Sequence, residues 1–289
     1  MGTTVTISLV TPTEDLATQI ATAAFAQVVN FESRFSRFLP TSELSLLNQT
    51  QDLVVSDEFF AILAKSYELY VLTEGAFNPL VQIARYGYTK DYQALPVTEA
   101  ISVTDVDSIN VDFGAVERDV ITKRVRLQPN QQLDFGGVLK GYLAHLLANQ
   151  IESHYSECTG VIVNLGGDLH TRGHDEHGAP FVFFVFNPVT DEEIPVPLTN
   201  TSLATSGVYA RTWQTTGGAM HHILTGAGRP DTDLLGVSAS IVHPDGATAE
   251  ALTKLLLHRG PRTVLTAVGD DLCRYILITD DGSVKTNIS

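Results

Sequence analysis

Two glycine pairs, each followed by a charged side chain, are where this sequence is best equipped for chemistry. The first lies in Asp134-Phe135-Gly136-Gly137-Val138-Leu139-Lys140-Gly141-Tyr142. Paired glycines ahead of a helix let the backbone approach a ligand. The helix N-terminus then offers free N–H groups and partial positive charge to an anion. Lys140 adds a full positive charge, so the segment suits a pyrophosphate. It is neither a Walker loop nor a GxGxxG fingerprint. The second pair lies in Val163-Asn164-Leu165-Gly166-Gly167-Asp168-Leu169, where a strand runs into two glycines and an acid. Asp168 in that place suits a metal ligand, a base toward a hydroxyl nucleophile, or a turn residue.

Five further segments carry polar groups in compact patterns. In Phe35 to Asn48, Pro40 makes a turn and Ser42 is placed to cap a short helix. Arg37 there could serve an anion, and Asn48 could donate to a phosphate or hold a loop. Gly75-Ala76-Phe77-Asn78-Pro79 fixes a bend and supplies an aromatic face on which flavin or adenine rings stack, although a buried Phe after a helix stop is usually core. Thr205-Ser206-Gly207 sets small hydroxyls beside glycine. His221-His222-Ile223-Leu224 runs on to Gly228-Arg229-Pro230. Ala249-Glu250-Ala251-Leu252-Thr253-Lys254 is the last of these segments. His170, His174 and His177 fall in a polar stretch whose spacing fits no standard zinc pattern, so solvated loop histidines are expected.

The elements that must position these groups can be read from periodicity. Residues 3–10 alternate as a strand. Residues 14–34 are helical, with Leu16, Ile20, Ala24, Val28 and Phe31 on one face. Residues 57–74 form a second helix ending at Gly75. Short strands are expected at 109–111, 120–121 and 125–127, a helix over 138–151, and strands at 161–165 and 181–186. A helix over 247–257 and a helix or strand pair over 263–278 complete the chain. Strands are short and come in adjacent pairs, which favours α+β with antiparallel sheet over a doubly wound parallel sheet. With no linker or short-period repeat, one domain over 1–289 is expected.

Composition narrows the partners. The chain has 289 residues, 44% hydrophobic, enough for a substantial core. Its net charge of −15 disfavours nucleic acid and anionic membrane surfaces. A nucleotide substrate therefore needs locally gathered positive charge or a divalent cation. Cys158 and Cys273 read as small buried hydrophobes rather than a disulfide framework. No stretch is long and apolar enough for a transmembrane helix. The N-terminus lacks a signal-peptide pattern. As written, the chain is expected to be cytoplasmic, and exported or membrane-anchored if it has been trimmed.

Taken in order, the seven segments resemble the ApbE family of FAD:protein FMN transferases over nearly the whole chain. The resemblance implies an α+β, tunnelling-fold-type architecture with short antiparallel sheets and packed helices. It implies transfer of FMN from FAD to a Thr or Ser of a target flavoprotein, with release of AMP and help from Mg2+. By motif position, Ser42, Glu43, Asn48, Phe77 and Pro79 belong to flavin-side segments. Gly136, Gly137 and Lys140 form the turn around the nucleotide. Gly166, Gly167 and Asp168, then Thr205, Ser206 and Gly207, and His222 complete the FAD-binding set. Catalytic roles are implied for Asp168, His222 and Lys140, and metal binding for Asp168 and Glu250.

The chain departs from that pattern in three places. The family's Asp-Pro pair after His-x-x is replaced by Thr225-Gly226-Ala227, in a loop one residue shorter. The metal-holding A-D-A-L-A-T segment reads Ala249 to Lys254, with Glu250 for Asp and Lys254 for Thr. A charged lysine cannot ligate a metal, but it could stand in for one or pair with Glu250. His145 replaces the acid that follows K-G-Y. An active transferase of a divergent branch is the expectation. FAD hydrolysis to FMN and AMP, and a flavin-binding relative with weak or lost activity, are the alternatives.

Overall fold

The computed structural model describes residues 3–88, 103, 109–209, 212–216 and 218–288. Within the span 1–289 the backbone groups into two compact units. One comprises Met1–Gly2, Asn30–Gly137 and Val208–Asp233; the other comprises Thr3–Val29, Val138–Gly207 and Leu234–Ser289. In chain order the elements are β1 (Val5–Val10), α1 (Glu14–Phe35), α2 (Glu43–Thr50), β2 (Asp52–Val54), α3 (Asp57–Leu72), β3 (Glu117–Arg118), β4 (Arg124–Arg126), α4 (Leu139–His154), β5 (Gly160–Leu165) and β6 (Asp168–Gly173). There follow β7 (Phe181–Phe186), β8 (Glu193–Leu198), β9 (Ser202–Gly207), β10 (Thr212–Thr215), β11 (Gly218–His221), β12 (Ser238–His243), α5 (Gly246–Arg259), α6 (Pro261–Val268), β13 (Arg274–Ile278) and β14 (Val284–Thr286).

The unit containing α4 and α5 is built on a seven-stranded sheet in the order β1-β5-β6-β9-β12-β13-β14, with every neighbouring pair antiparallel. Alternation along each strand sends successive side chains to opposite faces. Leu169, Leu203, Val242, Ile276 and Ile278 point to the face covered by the β7–β8 hairpin, where they meet Val185, Val196 and Leu198. The other face carries α4 and α5. Both faces are thus covered, which is why β12 is buried almost throughout.

The other unit holds small sheets, β2-β4-β3 and β10-β11, and aromatic cores. Phe35 lies against Phe31, Phe59 and Phe135, and Tyr67 and Tyr70 meet Phe113 edge-on. Trp213, Met220, Leu224, Ile83 and Tyr86 form a separate cluster. Helices α2 and α3 start on hydroxyl caps: Ser42 accepts from the Ser45 N–H, and Ser56 from the Phe59 N–H.

The α+β architecture follows the sequence expectation, as do α1, α3, α4, α5 and strands β1, β5 and β7. Three local expectations differ. Val120-Ile121 lies in a turn, because the Asp119 carboxylate accepts from the Ile121 and Thr122 N–H groups and bends the chain. Residues 109–111 pair with no strand among the described residues. Residues 263–278 resolve into α6, opened by Pro261, and then β13.

Candidate functional site

Three charged side chains converge in the unit containing α4 and α5. Lys140 stands in the first turn of α4. At the next position, Gly141 touches Gly246 of α5; a methyl on either glycine would run into the other's carbonyl oxygen. That backbone contact sets the spacing of the two helices. Glu250, one turn beyond Gly246, then reaches Lys140, and its Oε2 accepts the Gly141 N–H at 2.9 Å. Asp168 arrives from the sheet. Leu165 pairs with Asp168 across the two-residue Gly166–Gly167 turn, both glycines having positive φ, as a type I′ hairpin demands. Lys140 Nζ lies 2.6 Å from Asp168 Oδ2 and also bonds Glu250 Oε1.

This cluster is buried. Side-chain exposure is 5% for Asp168, 2% for Glu250 and 17% for Lys140, whose ammonium is enclosed between the two carboxylates. Burial alone would lower the Lys140 pKa, but the two carboxylates outweigh it and hold the ammonium charged well above its usual range. Burial pushes the Glu250 carboxyl up, and Lys140 and Lys254 pull it back. Lys254 Nζ donates to the Glu250 carbonyl oxygen at 2.9 Å.

The carboxylate oxygens are all engaged. Asp168 Oδ2 faces Lys140, and its Oδ1 accepts the Thr205 N–H at 3.3 Å. Glu250 Oε1 faces Lys140 and its Oε2 accepts from Gly141. Mg2+ demands oxygen ligands in octahedral geometry at about 2.0–2.1 Å. Here the position between the carboxylates belongs to an ammonium, and no group of three His, Cys, Asp or Glu suited to a metal occurs among the described residues. As folded, the residues implied for Mg2+ do not fit it. At the start of α4 the Gly141 N–H is taken by Glu250.

The small hydroxyls divide by the pleat of β9. Ser206 Oγ meets Thr253 Oγ1 of α5 at 2.7 Å, and Thr253 in turn donates to the Glu250 carbonyl oxygen. Thr205 Oγ1 meets Ser240 Oγ at 2.8 Å on the opposite face. Gly207 ends the strand opposite Ser238. Only Ser206 of this trio turns its side chain toward the charged cluster.

In the other unit the singled-out residues bond to the fold itself. Besides capping α2, Ser42 donates to the Ser36 carbonyl oxygen at 2.7 Å. Glu43 accepts from Ser56 and pairs with Arg34. Asn48 clasps the Leu133 main chain from both sides, Nδ2 to O at 2.9 Å and N to Oδ1 at 2.8 Å. Phe77 is buried, its N–H held by Thr73 Oγ1. The Pro79 carbonyl accepts the Asp134 N–H, and Asp134 Oδ1 accepts the Gly136 N–H, folding the Gly136–Gly137 turn. Arg37 is balanced by Asp134 at 3.3 Å and lies over the Phe38 and Tyr88 rings. His222 is half-buried just after β11.

Several organising residues escaped the sequence reading. Asn78 Nδ2 donates to the carbonyls of Val111 and Gly226, and Tyr86 OH donates to that of Gly228. Together they pin the Thr225–Arg229 loop. Gly-x-x-Asn-Pro was the available signal. His170 is the clearest correction. It lies in β6, fully buried, with Nδ1 2.7 Å from Ser202 Oγ and its ring edge-on to His145. Burial first, then the charges of His145 and Arg172, depress its pKa to about 3. His174 and His177 are exposed, as expected.

Comparison with known proteins places the chain among flavin-transferring relatives. The model of the ApbE family matches residues 1–275. A FAD:protein FMN transferase of Chlamydia pneumoniae is 30% identical over 237 residues, covering 78% of this chain and 72% of that protein. One from Haemophilus influenzae is 26% identical over 276 residues, covering 89% and 78%. The crystal structure of the ApbE protein of Thermotoga maritima superposes with a TM-score of 0.82 at 24% identity, covering 97% of this chain and 93% of that one. The flavin transferase ApbE of Vibrio cholerae superposes at 0.79 and 19% identity, covering 99% and 94%.

Proposed function

The chain belongs to the ApbE family, and on that premise we propose that it moves FMN from FAD onto a Thr or Ser hydroxyl of a flavoprotein. In this reaction the acceptor oxygen bonds to the phosphorus on the FMN side of the pyrophosphate. The P–O bond to AMP breaks, and the hydroxyl proton leaves to a base and ends on the released AMP or solvent.

The observation that carries the reading is the charged Lys140 ammonium, fixed in the first turn of α4 by two buried carboxylates. A preorganised cation of this kind stabilises negative charge as it builds on a breaking pyrophosphate, without reorganising at the moment of reaction. Asp168, bonded to Lys140, is the carboxylate proposed to receive the acceptor proton. No step here runs through Mg2+, because the carboxylates implied for it are already bonded to N–H donors.

The test is AMP release from FAD by the purified chain, with and without a flavoprotein bearing an accessible Thr or Ser. AMP together with FMN covalently on the acceptor is the expected result. AMP with free FMN would make water the acceptor. FAD retained with no AMP would overturn the reading.

A further inference from the structure

The segments implied to hold a metal carry the wrong charges for one. Around Asp168 and Glu250 the structure places two carboxylates and two ammonium groups, Lys140 and Lys254, whose formal charges cancel. Lys254 stands where the family pattern puts a metal-holding Thr. Its ammonium reaches back four residues to the Glu250 carbonyl oxygen, an acceptor that a cation would otherwise want. The remaining hydroxyl of the segment, Thr253, is bonded to Ser206 and to that same carbonyl. A divalent ion entering here would meet carboxylates whose four oxygens already accept from Lys140, Gly141 and Thr205. It would also meet two positive charges, one of them held charged by the two adjacent carboxylates.

We propose that the cation seat of this site is made of protein: Lys254, standing where the family pattern has a metal-holding Thr, completes with Lys140 a charge-balanced cluster that takes no divalent metal, and the chain works without one. Lys140 supplies the charge that faces the substrate phosphates. Lys254 keeps the Glu250 end of the cluster neutral, so that Lys140 is not drawn entirely into its own ion pairs. An ammonium is a compact point charge with three donors, suited to a phosphate oxygen and needing no open coordination position. The metal-binding part of this inference stands on the side chains alone; only its consequence for turnover rests on the function proposed above.

Mn2+ prefers the same oxygen ligands as Mg2+, and its free aqua ion is visible by electron paramagnetic resonance. The full chain, titrated with Mn2+ without FAD, is expected to leave the free-ion signal undiminished. Lys140→Met and, in a milder form that keeps the central ion pair, Lys254→Thr should gain binding and reduce that signal. Stoichiometric loss of the signal with the unmodified chain, abolished by Glu250→Gln, would overturn the proposal. A second readout is AMP release in EDTA against Mg2+. Equal rates support the protein cation, and release only with Mg2+ overturns it while leaving FMN transfer intact. No AMP under either condition defeats the functional reading, and the Mn2+ titration then decides the cation seat by itself.

Discussion

In the unit with α4 and α5, the polar residues singled out from the sequence bond to one another. In the other unit, Ser42 and Asn48, singled out on the same grounds, bond to main chain, while Glu43 and Arg37 pair with side-chain partners nearby. Lys140, Asp168 and Glu250 come from a helix start, a hairpin and a second helix and meet as charges. Ser42 and Asn48 reach backbone carbonyls and N–H groups, and Glu43 locks Ser56 and Arg34. The difference separates side chains that hold a shape from side chains that hold a charge. Removing a member of the first kind loses hydrogen bonds. Removing one of the second strands a buried ion.

Stability measurements sharpen that contrast. Lys140→Met should cost the most, about 3–5 kcal/mol, because two buried carboxylates lose their common partner. Urea unfolding of the variant checks it, and a loss below that of a simple hydrogen-bond deletion would break the distinction. Asn48→Ala should cost about 2 kcal/mol by unpairing the Leu133 main chain, with no change in the Mn2+ titration.

A pH-dependent effect comes from His170. Its folded pKa of about 3 lies below the unfolded value, so the native state prefers the neutral ring. The unfolded chain binds the extra proton between those two values. The contribution is therefore complete above about pH 6.5 and is lost on acidification toward pH 3, by at most about 1.4 kcal/mol per pH unit. Unfolding free energy measured from pH 7 to 4.5 should fall less steeply in His170→Gln. An unchanged slope would place the acid sensitivity elsewhere.

Much of this was legible in the sequence, for identifiable reasons. Helix α1 announced itself because Ile20, Ala24, Val28 and Phe31 recur on one face and are buried there. The Gly166–Gly167 turn was legible because two consecutive positive-φ positions leave few other residues to choose. The binding roles implied for Asn48 and Glu43 are proposals that the internal bonds now constrain, since residue type does not reveal which partner a side chain finds. Thr205 and Ser206 were grouped together, and only strand pleating separates them. His170 read as loop because its neighbours are polar; burial between β6 and α4 is a long-range fact that no local composition carries. The lysine at 254 was visible as a departure, but its bond to the Glu250 carbonyl required the helix.

The Gly166–Gly167 turn also constrains how this stretch can change in length. Asp168 and His170 face the helices and Leu169 faces the hairpin side, because β6 begins in phase with β5. One inserted residue that shifted the strand by a single position would trade those faces, putting Leu169 beneath Lys140 and the carboxylate into the apolar layer. Two inserted residues would lengthen the turn and restore the phase. Insertions at this corner that move β6 along the chain should therefore be tolerated by parity, with even ones surviving and odd ones removing the acid from its lysine.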